Sequence, residues 1–123
     1  MKKLLLILLV FISYNGFTQS IKLKEIGLQV MTKDLGEMTW YEAREACADL
    51  GDGWRLPTLD ELKKIYPLID KIGGFKKTTY WSKTDRYNDY YYAETFDFGK
   101  KISFSYHKTY HFYVRAVRSL SIE

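Results

Sequence analysis

Two histidines and one cysteine are the residues of this chain that could bind a transition metal or act as nucleophiles. His107 and His111 are four positions apart, but the segment between them does not look helical and contains no acidic residue. A catalytic zinc site needs a third protein ligand, so this spacing favours an exposed loop over a zinc site. Cys47 is the one thiol, and it provides neither a dithiolate metal site nor a resolving partner for redox chemistry. The sequence therefore predicts no metal, no cofactor and no catalytic residue.

The pair Asn88-Asp89 is the nearest candidate for a calcium site, because Ca²⁺ is bound by clusters of carboxylate and amide oxygens. A single Asn-Asp pair between two strand-like segments is more typical of a turn, since both side chains readily bond to their own backbone. We therefore expect a turn at this position and no bound metal.

Tyrosine and basic residues are interleaved in two segments, residues 83–92 and residues 106–111. A tyrosine ring can pack against the C–H face of a sugar, while lysine and arginine suit sulfate or carboxylate groups. The ligand contacts predicted from these segments are Lys83, Arg86, Tyr87, Asn88, Asp89, Tyr90, Tyr106, His107, Lys108, Tyr110 and His111. The alternative is that half of the rings pack into the core. Tyr92 and Phe96 could then face inward with Tyr91 outward, or the reverse, and the sequence leaves this register open.

The composition bounds the class of protein. The chain has 123 residues, of which 46% are hydrophobic and 28% charged, with only two prolines. These values exclude a disordered tail, a collagen and a coiled coil. The formal charge of +4 falls to +2 when residues 1–18 are removed, which is too small to argue for a nucleic-acid partner.

The first 18 residues are typical of a secretory signal peptide. Lys2 and Lys3 precede an apolar run over residues 4–12, and a small and polar run follows over residues 13–20. The apolar run rises only about 14 Å as a helix, half of the hydrocarbon core, so we expect no stable transmembrane segment. We predict cleavage before Gln19, with a cut after Ser20 or a buried N-terminal element as alternatives. The predicted product is one exported domain, residues 19–123, in the periplasm, at the cell surface or secreted.

Two capping boxes predict two helices. Thr39 with Glu42, and Thr58 with Glu61, each have the spacing in which side chains and backbone amides bond reciprocally. The first helix has an apolar stripe of Trp40, Ala43, Cys47 and Leu50, with Gly51 or Gly53 as its end. The second buries Leu59, Leu62, Ile65 and Tyr66, and Pro67 is predicted to end it.

Alternating apolar residues predict the strands. Residues 80–84, 90–97, 102–107 and 112–118 follow the helices, with a hairpin turn at residues 98–101, and residues 26–32 precede them. The order of one strand, two helices and a run of antiparallel strands predicts an α+β fold.

Four strings together resemble the C-terminal domain of bacterial collagen-like (Lcl) adhesins. They are Trp40-x-x-Ala43-x-x-x-Cys47, then Gly53-Trp54-Arg55-Leu56-Pro57-Thr58-x-x-Glu61-Leu62, then Tyr80-Trp81-Ser82, and finally Val114-Arg115-Ala116-Val117-Arg118. That family resembles the C-type-lectin-like fold shared with formylglycine-generating enzymes. The resemblance covers residues 27–119. It implies paired first and last strands, two helices flanking a small and mainly antiparallel sheet, and ligand-bearing strands and loops between Tyr80 and His111.

The Gly-Trp-Arg-Leu-Pro-Thr block has a structural interpretation. Trp54 and Leu56 alternate into a core, Pro57 enforces an extended backbone, and Arg55 is expected to bond loop carbonyls or Glu61 rather than a ligand. The tryptophans are more often core residues than sugar platforms. The residues assigned structural roles are Thr39, Trp40, Glu42, Cys47, Trp54, Arg55, Pro57, Thr58, Glu61, Trp81 and Arg115.

Cys47 departs from the pattern that the resemblance implies. Members of the fold commonly bridge this cysteine to one in the last strand, where the present chain has Ala116. We expect Cys47 to be a buried hydrophobe, with an intermolecular bridge as the alternative. The formylglycine-generating relatives use paired cysteines for copper-dependent oxidation, and the Glu-Pro-Asn type calcium loop of animal lectins is also missing. The resemblance thus implies binding without a metal or an oxidase reaction.

The sequence favours a secreted or surface-exposed, non-catalytic binding module of the bacterial cell envelope. Its predicted ligand is a glycan or other anionic polymer, such as a sulfated polysaccharide, bound through the tyrosine and basic residues. The alternative is a structural or assembly protein of the envelope that contacts a protein partner. An enzyme is the third hypothesis, and it would depend on Cys47.

Overall fold

The computed structural model describes residues 19–121, so the predicted signal peptide over residues 1–18 lies outside the described residues. The strands are β1 (Ser20–Leu23), β2 (Leu28–Met31), β3 (Gly36–Met38), β4 (Thr79–Arg86), β5 (Asp89–Asp97), β6 (Ile102–His107), β7 (Phe112–Val114) and β8 (Val117–Ser119). The helices are α1 (Trp40–Ala48), α2 (Leu59–Ile65) and α3 (Ile69–Ile72), with 3₁₀ turns at Lys24–Ile26 and Tyr66–Leu68. The mixed α+β class predicted from the sequence is confirmed.

The strands form two sheets. A three-stranded antiparallel sheet has the order β1-β2-β8, and a five-stranded sheet has the order β3-β7-β4-β5-β6, in which only β4 and β7 are parallel. The predicted strand over residues 26–32 corresponds to β2, and it pairs with the last strand β8 through Leu28↔Ser119. Short β1 and β3 were not predicted, because neither has an alternating apolar pattern long enough to recognise.

The prediction of one strand over residues 112–118 is wrong. The segment divides at Arg115 and Ala116, both fully buried, so that β7 joins the larger sheet and β8 joins the smaller one. This break lets one short stretch of chain connect the two sheets.

Both capping boxes are present. The Thr39 hydroxyl accepts from the Glu42 amide at 3.3 Å, and the Thr58 hydroxyl accepts from the Glu61 amide at 3.1 Å. The α1 helix ends at Ala48 and Gly51 adopts a φ of 71°, which leaves Leu50 exposed instead of on the buried stripe. Pro67 follows the end of the second helix as predicted, because α2 stops at Ile65 with Tyr66 as its C-cap, and a 3₁₀ turn that contains Pro67 then leads into α3. No helix within residues 19–121 has the length and apolar character to cross a bilayer.

The five-stranded sheet has a hydrophobic cluster against each face. Tyr80 and Trp81 are adjacent on β4 and fully buried, and they therefore point into different clusters. The Tyr80 cluster joins the smaller sheet and α2 to the larger sheet, and its buried members are Leu23, Leu28, Val30, Leu62, Ile65, Ile72, Tyr80, Phe96, Phe98 and Val117. The Trp81 cluster holds α1, and its buried members are Trp40, Ala43, Cys47, Leu56, Trp81, Ala93, Val114 and Ala116. This packing fixes the register of β5, because Phe96 is buried while Tyr91 faces solvent.

Arg55 connects the start of α2 to β8. Its guanidinium forms two parallel bonds to Glu61, at 2.7 Å and 2.9 Å, and a third to the Ser119 hydroxyl at 3.0 Å. Its backbone exchanges two hydrogen bonds with Val117. The Arg55 guanidinium thus holds a loop, a helix and a strand together.

Protonation of Glu61 should weaken this connection in acid. Burial raises the pKa of the Glu61 carboxyl, but hydrogen bonds from Arg55 and Thr58 outweigh burial and hold the pKa below its ordinary value of 4.5. A lowered pKa contributes stability above the unfolded value, and that contribution disappears as pH falls through the folded value. We expect Glu61→Gln to lower the free energy of unfolding by about 1–2 kcal/mol at pH 7 and by less at pH 3, measured by urea denaturation.

The matched control is Glu45→Gln, at an exposed position on α1. It should change the stability little at either pH. A Glu61→Gln deficit that is the same at pH 7 and pH 3 would contradict the role assigned to the carboxylate.

Candidate binding surface

The β4–β5 hairpin carries three of the most exposed tyrosines of the described chain. Arg86 pairs with Asp89, so Tyr87 and Asn88 form the two-residue loop. Asn88 has a φ of 60°, a conformation that asparagine tolerates, and the Asp89 carboxylate accepts from the Tyr91 amide at 3.1 Å. The Asn-Asp pair is thus built as a turn. We call the three tyrosines of this tip the tyrosine rim; Tyr87, Tyr90 and Tyr91 are 89%, 79% and 69% exposed.

The end of β6 reaches the tyrosine rim and brings the two predicted segments together. His107 pairs with Tyr92, and its ring lies parallel to that of Tyr91, with 6.4 Å between centroids. Tyr92 meets His107 edge to face at 5.3 Å, and the Arg86 guanidinium lies 5.1 Å from the Tyr92 ring. A cationic and aromatic row therefore runs along this end of the sheet.

A second group of rings lies on β6 and in the segment that follows it. We call it the aromatic patch, and it consists of Phe104, Tyr106, Tyr110 and Phe112. Tyr106 is the central ring, 6.3 Å from Phe104, 5.5 Å from Tyr110 and 4.7 Å from Phe112. Phe104 and Tyr110 are 57% and 55% exposed, whereas Phe112 packs on buried Trp81. Phe104 and Phe112 were not predicted as surface residues, although the alternation of Phe104 with Tyr106 places both on one face of a strand.

Lys108 was predicted as a ligand contact, and this prediction is wrong. Its side chain is almost fully enclosed, with Nζ 2.7 Å from an Asp85 carboxylate oxygen and 3.8 Å from the centroid of the Trp40 ring. Its carbonyl accepts from the Trp40 amide at 3.0 Å. The turn after β6 folds this lysine back over the start of α1, so its charge is neutralised inside the protein and is not presented to a ligand.

The other predicted contacts are spread over the surface of this region. Lys83, Arg86, Asn88 and His111 are exposed, while Asp89, Tyr106 and His107 are half-buried. His107 and His111 flank a turn, and the Nδ1 atom of His107 lies 2.8 Å from the Thr109 hydroxyl. Within residues 19–121, no three histidine, cysteine or acidic side chains are grouped so that they could hold a metal ion.

Cys47 lies away from this surface, in the cluster that holds α1. Burial raises the pKa of its thiol to about 12. Since the thiolate is the nucleophilic form, the thiol is unreactive at neutral pH. Ala116 belongs to the same cluster as Cys47.

A basic cleft of about 780 Å³ lies on the smaller sheet, and its residues were not predicted as a site from the sequence. Lys22, Lys24 and Arg118 line it together with the single acid Asp52. Arg118 is held by the Gln29 amide oxygen at 2.8 Å, by the Asp52 carbonyl at 3.1 Å and by the Trp54 ring, 4.9 Å away. The alternation of Lys22 with Lys24 was the available signal.

Comparisons with known proteins identify a family and show what this chain resembles in fold. A sequence profile described as the Lcl C-terminal domain matches residues 20–118. A chain of the solved complex between a mutant von Willebrand factor A1 domain and botrocetin is 14% identical, with a TM-score of 0.56 over 82% of this chain and 96% of that chain. At this identity the likeness shows the fold alone. None of the curated protein sequences matches the chain.

Proposed function

The chain belongs to the Lcl C-terminal domain family, and from this membership we propose that it is a surface-exposed, adhesin-like module that binds a glycan or other anionic polymer through the tyrosine rim. The observation that carries the proposal is the exposure of Tyr87, Tyr90 and Tyr91 at the tip of one hairpin. Large apolar groups gathered at the surface of a protein commonly mark a contact site.

The chemistry of the rim suits such a ligand. Tyrosine provides a rigid apolar face and a hydroxyl at little cost in conformational entropy. Arg86 is exposed at the hairpin tip beside the rim, Lys83 is exposed on the same strand, and both can bond sulfate or carboxylate substituents. The module is proposed to be non-catalytic, because the one thiol of the chain is buried and unreactive.

We also propose a C-type-lectin-like fold and an exported location for residues 19–123. The pairing of β2 with β8 and the two capped helices support this fold. The lysine-led apolar segment at residues 1–18 and the adhesin family support export.

The test is a glycan array that includes sulfated polysaccharides, followed by titration of each hit. We expect Tyr87→Ala and Tyr90→Ala each to weaken binding about tenfold, since a lost aromatic contact at the centre of an interface costs about 1–2 kcal/mol. Tyr110→Ala tests the aromatic patch in the same way.

The matched control is Tyr41→Ala, which removes an exposed ring from α1. It should bind like the unaltered protein. Lys24→Glu distinguishes the basic cleft, because a ligand held there would lose affinity with this variant and be indifferent to Tyr87→Ala. No binding, or binding indifferent to both rim variants, would refute the rim as the site.

Contact with a protein of the cell envelope is the second candidate function. The exposed aromatic patch favours it, because Phe104 and Tyr110 are more than half exposed. A partner that co-purifies in stoichiometric amount and is lost with Phe104→Lys would favour this function. A protein without a partner that retains polysaccharide affinity would favour the first.

A further inference from the structure

Strand β6 forms one edge of the five-stranded sheet, and this edge lacks the usual protection against pairing. All six residues of β6 pair with β5 in unbroken register, from Tyr92↔His107 to Asp97↔Ile102. No charged residue or proline occurs between Lys101 and His107. Natural sheet edges are commonly short, bulged or charged. The opposite edge strand β3 has three residues, and the edge strand β1 of the smaller sheet carries Lys22.

The alternation of hydrogen-bonded and non-hydrogen-bonded pairs between β5 and β6 shows which backbone groups of β6 face outward. The Lys108 amide bonds to the Tyr91 carbonyl at 2.9 Å, so the neighbouring pair Tyr92↔His107 is a non-hydrogen-bonded pair. It follows that β6 bonds to β5 through the backbone N–H and C=O groups of Ile102, Phe104 and Tyr106. Ser103 and Ser105 direct their N–H and C=O groups away from the sheet.

The apolar and polar positions of β6 are arranged symmetrically around Phe104. The segment Ile102-Ser103-Phe104-Ser105-Tyr106 alternates apolar residues with serine. We propose that β6 pairs antiparallel with β6 of a second copy of this chain, around a two-fold axis at Phe104. The outward backbone groups of Ser103 then bond to those of Ser105 in the second copy, which is the self-complementary arrangement that a two-fold interface requires.

The side-chain pairs and the charges fit this register. Phe104 meets its own copy in a non-hydrogen-bonded pair, where side chains approach most closely, and Ile102 faces Tyr106. Lys101 faces His107, so no two lysine or arginine residues and no two acidic residues oppose each other.

The exposed area predicts a weak dimer. Ile102 and Phe104 are 41% and 57% exposed, which offers on the order of 100 Å² for each side chain. A standard interface buries about 800 Å² on each partner, so these residues with the backbone and Tyr106 form an interface at the small end of the range. The dimer should therefore form reversibly and depend on protein concentration.

Sedimentation equilibrium of the purified protein tests the assembly. We expect a concentration-dependent monomer–dimer equilibrium that Phe104→Lys and Ser103→Pro each shift at least tenfold toward monomer. Proline at position 103 removes an outward N–H and leaves the bonds of β6 to β5 intact. The matched control is Leu50→Lys, an exposed apolar residue at the end of α1, which should dimerise normally. A protein that is monomeric throughout, one that forms trimers, or dimers that survive both variants would overturn the proposal.

A disulfide trap tests the register. In the proposed pair, the two Cα atoms at position 104 are about 4.5 Å apart, within the range that a disulfide spans. Phe104→Cys should form a covalent dimer under mild oxidation, whereas Ile102→Cys, which faces Tyr106, should form it at least tenfold more slowly. Native Cys47 is buried and does not compete. Failure of Phe104→Cys to cross-link, or equal rates for both variants, would refute the two-fold axis at Phe104.

Discussion

Replacing Arg115 with methionine is expected to lower the free energy of unfolding by about 3–5 kcal/mol, because it strips the largely buried Asp34 carboxylate of its cation. The Arg115 side chain is fully enclosed, with Nε 2.9 Å and Nη2 2.8 Å from an Asp34 carboxylate oxygen. Nη1 donates to the carbonyls of Met31 at 2.8 Å and Gly73 at 3.0 Å, and the Phe75 ring covers the guanidinium at 3.9 Å. Urea denaturation followed by tryptophan fluorescence measures the loss.

Two further variants separate the buried ion pair from a general effect of losing an arginine. Arg44→Met, on the exposed face of α1, should change the stability by less than about 0.5–1 kcal/mol. Adding Asp34→Leu to Arg115→Met should recover part of the loss, because the orphaned carboxylate is then gone. Equal effects of Arg115→Met and Arg44→Met would show that the network contributes nothing.

Introducing a disulfide between positions 47 and 116, where the resemblance implies one, should stabilise the protein by up to about 4 kcal/mol. Cys47 and Ala116 are both fully buried in the same cluster, 69 positions apart in the sequence. Ala116→Cys should therefore oxidise to a bridge that closes this long loop and restricts the unfolded chain. The stability difference between the oxidised and reduced variant, measured in urea, isolates the bridge from the effect of the substitution.

Ala116→Ser is the matched control, since it adds a side chain of similar size that cannot form a bridge. It should be no more stable than the unaltered protein, with or without reductant. An Ala116→Cys protein that keeps two free thiols after oxidation would show that packing around Ala116 holds the two positions apart.

The features that the sequence predicted well depend on short-range bonds. Each capping box links two residues three positions apart. The start of each helix can therefore be predicted from one pair of residues, Thr39 with Glu42 or Thr58 with Glu61. Strand β6 has the predicted bounds because its alternation is unbroken from Ile102 to His107.

The features that were missed depend on residues far apart in the chain. The break at Arg115 follows from its bond to Asp34, which lies 81 positions away. Lys108 is neutralised by Asp85 and covered by Trp40, so its local sequence, rich in tyrosine and histidine, suggested the wrong environment. The register of β5 was open because both faces of the larger sheet are buried over residues 93–96. Periodicity alone does not choose between two buried faces.

The stacking of His107 on Tyr91 places the last residue of β6 directly beside the rim. Two copies joined along β6 therefore present two rims on one particle. Once the first rim has engaged a long chain of repeating units, the second samples only nearby repeats, at an effective concentration on the order of millimolar for a short tether. Retention would then grow with the length of the polymer, and avidity would discriminate between ligands that a single rim binds equally.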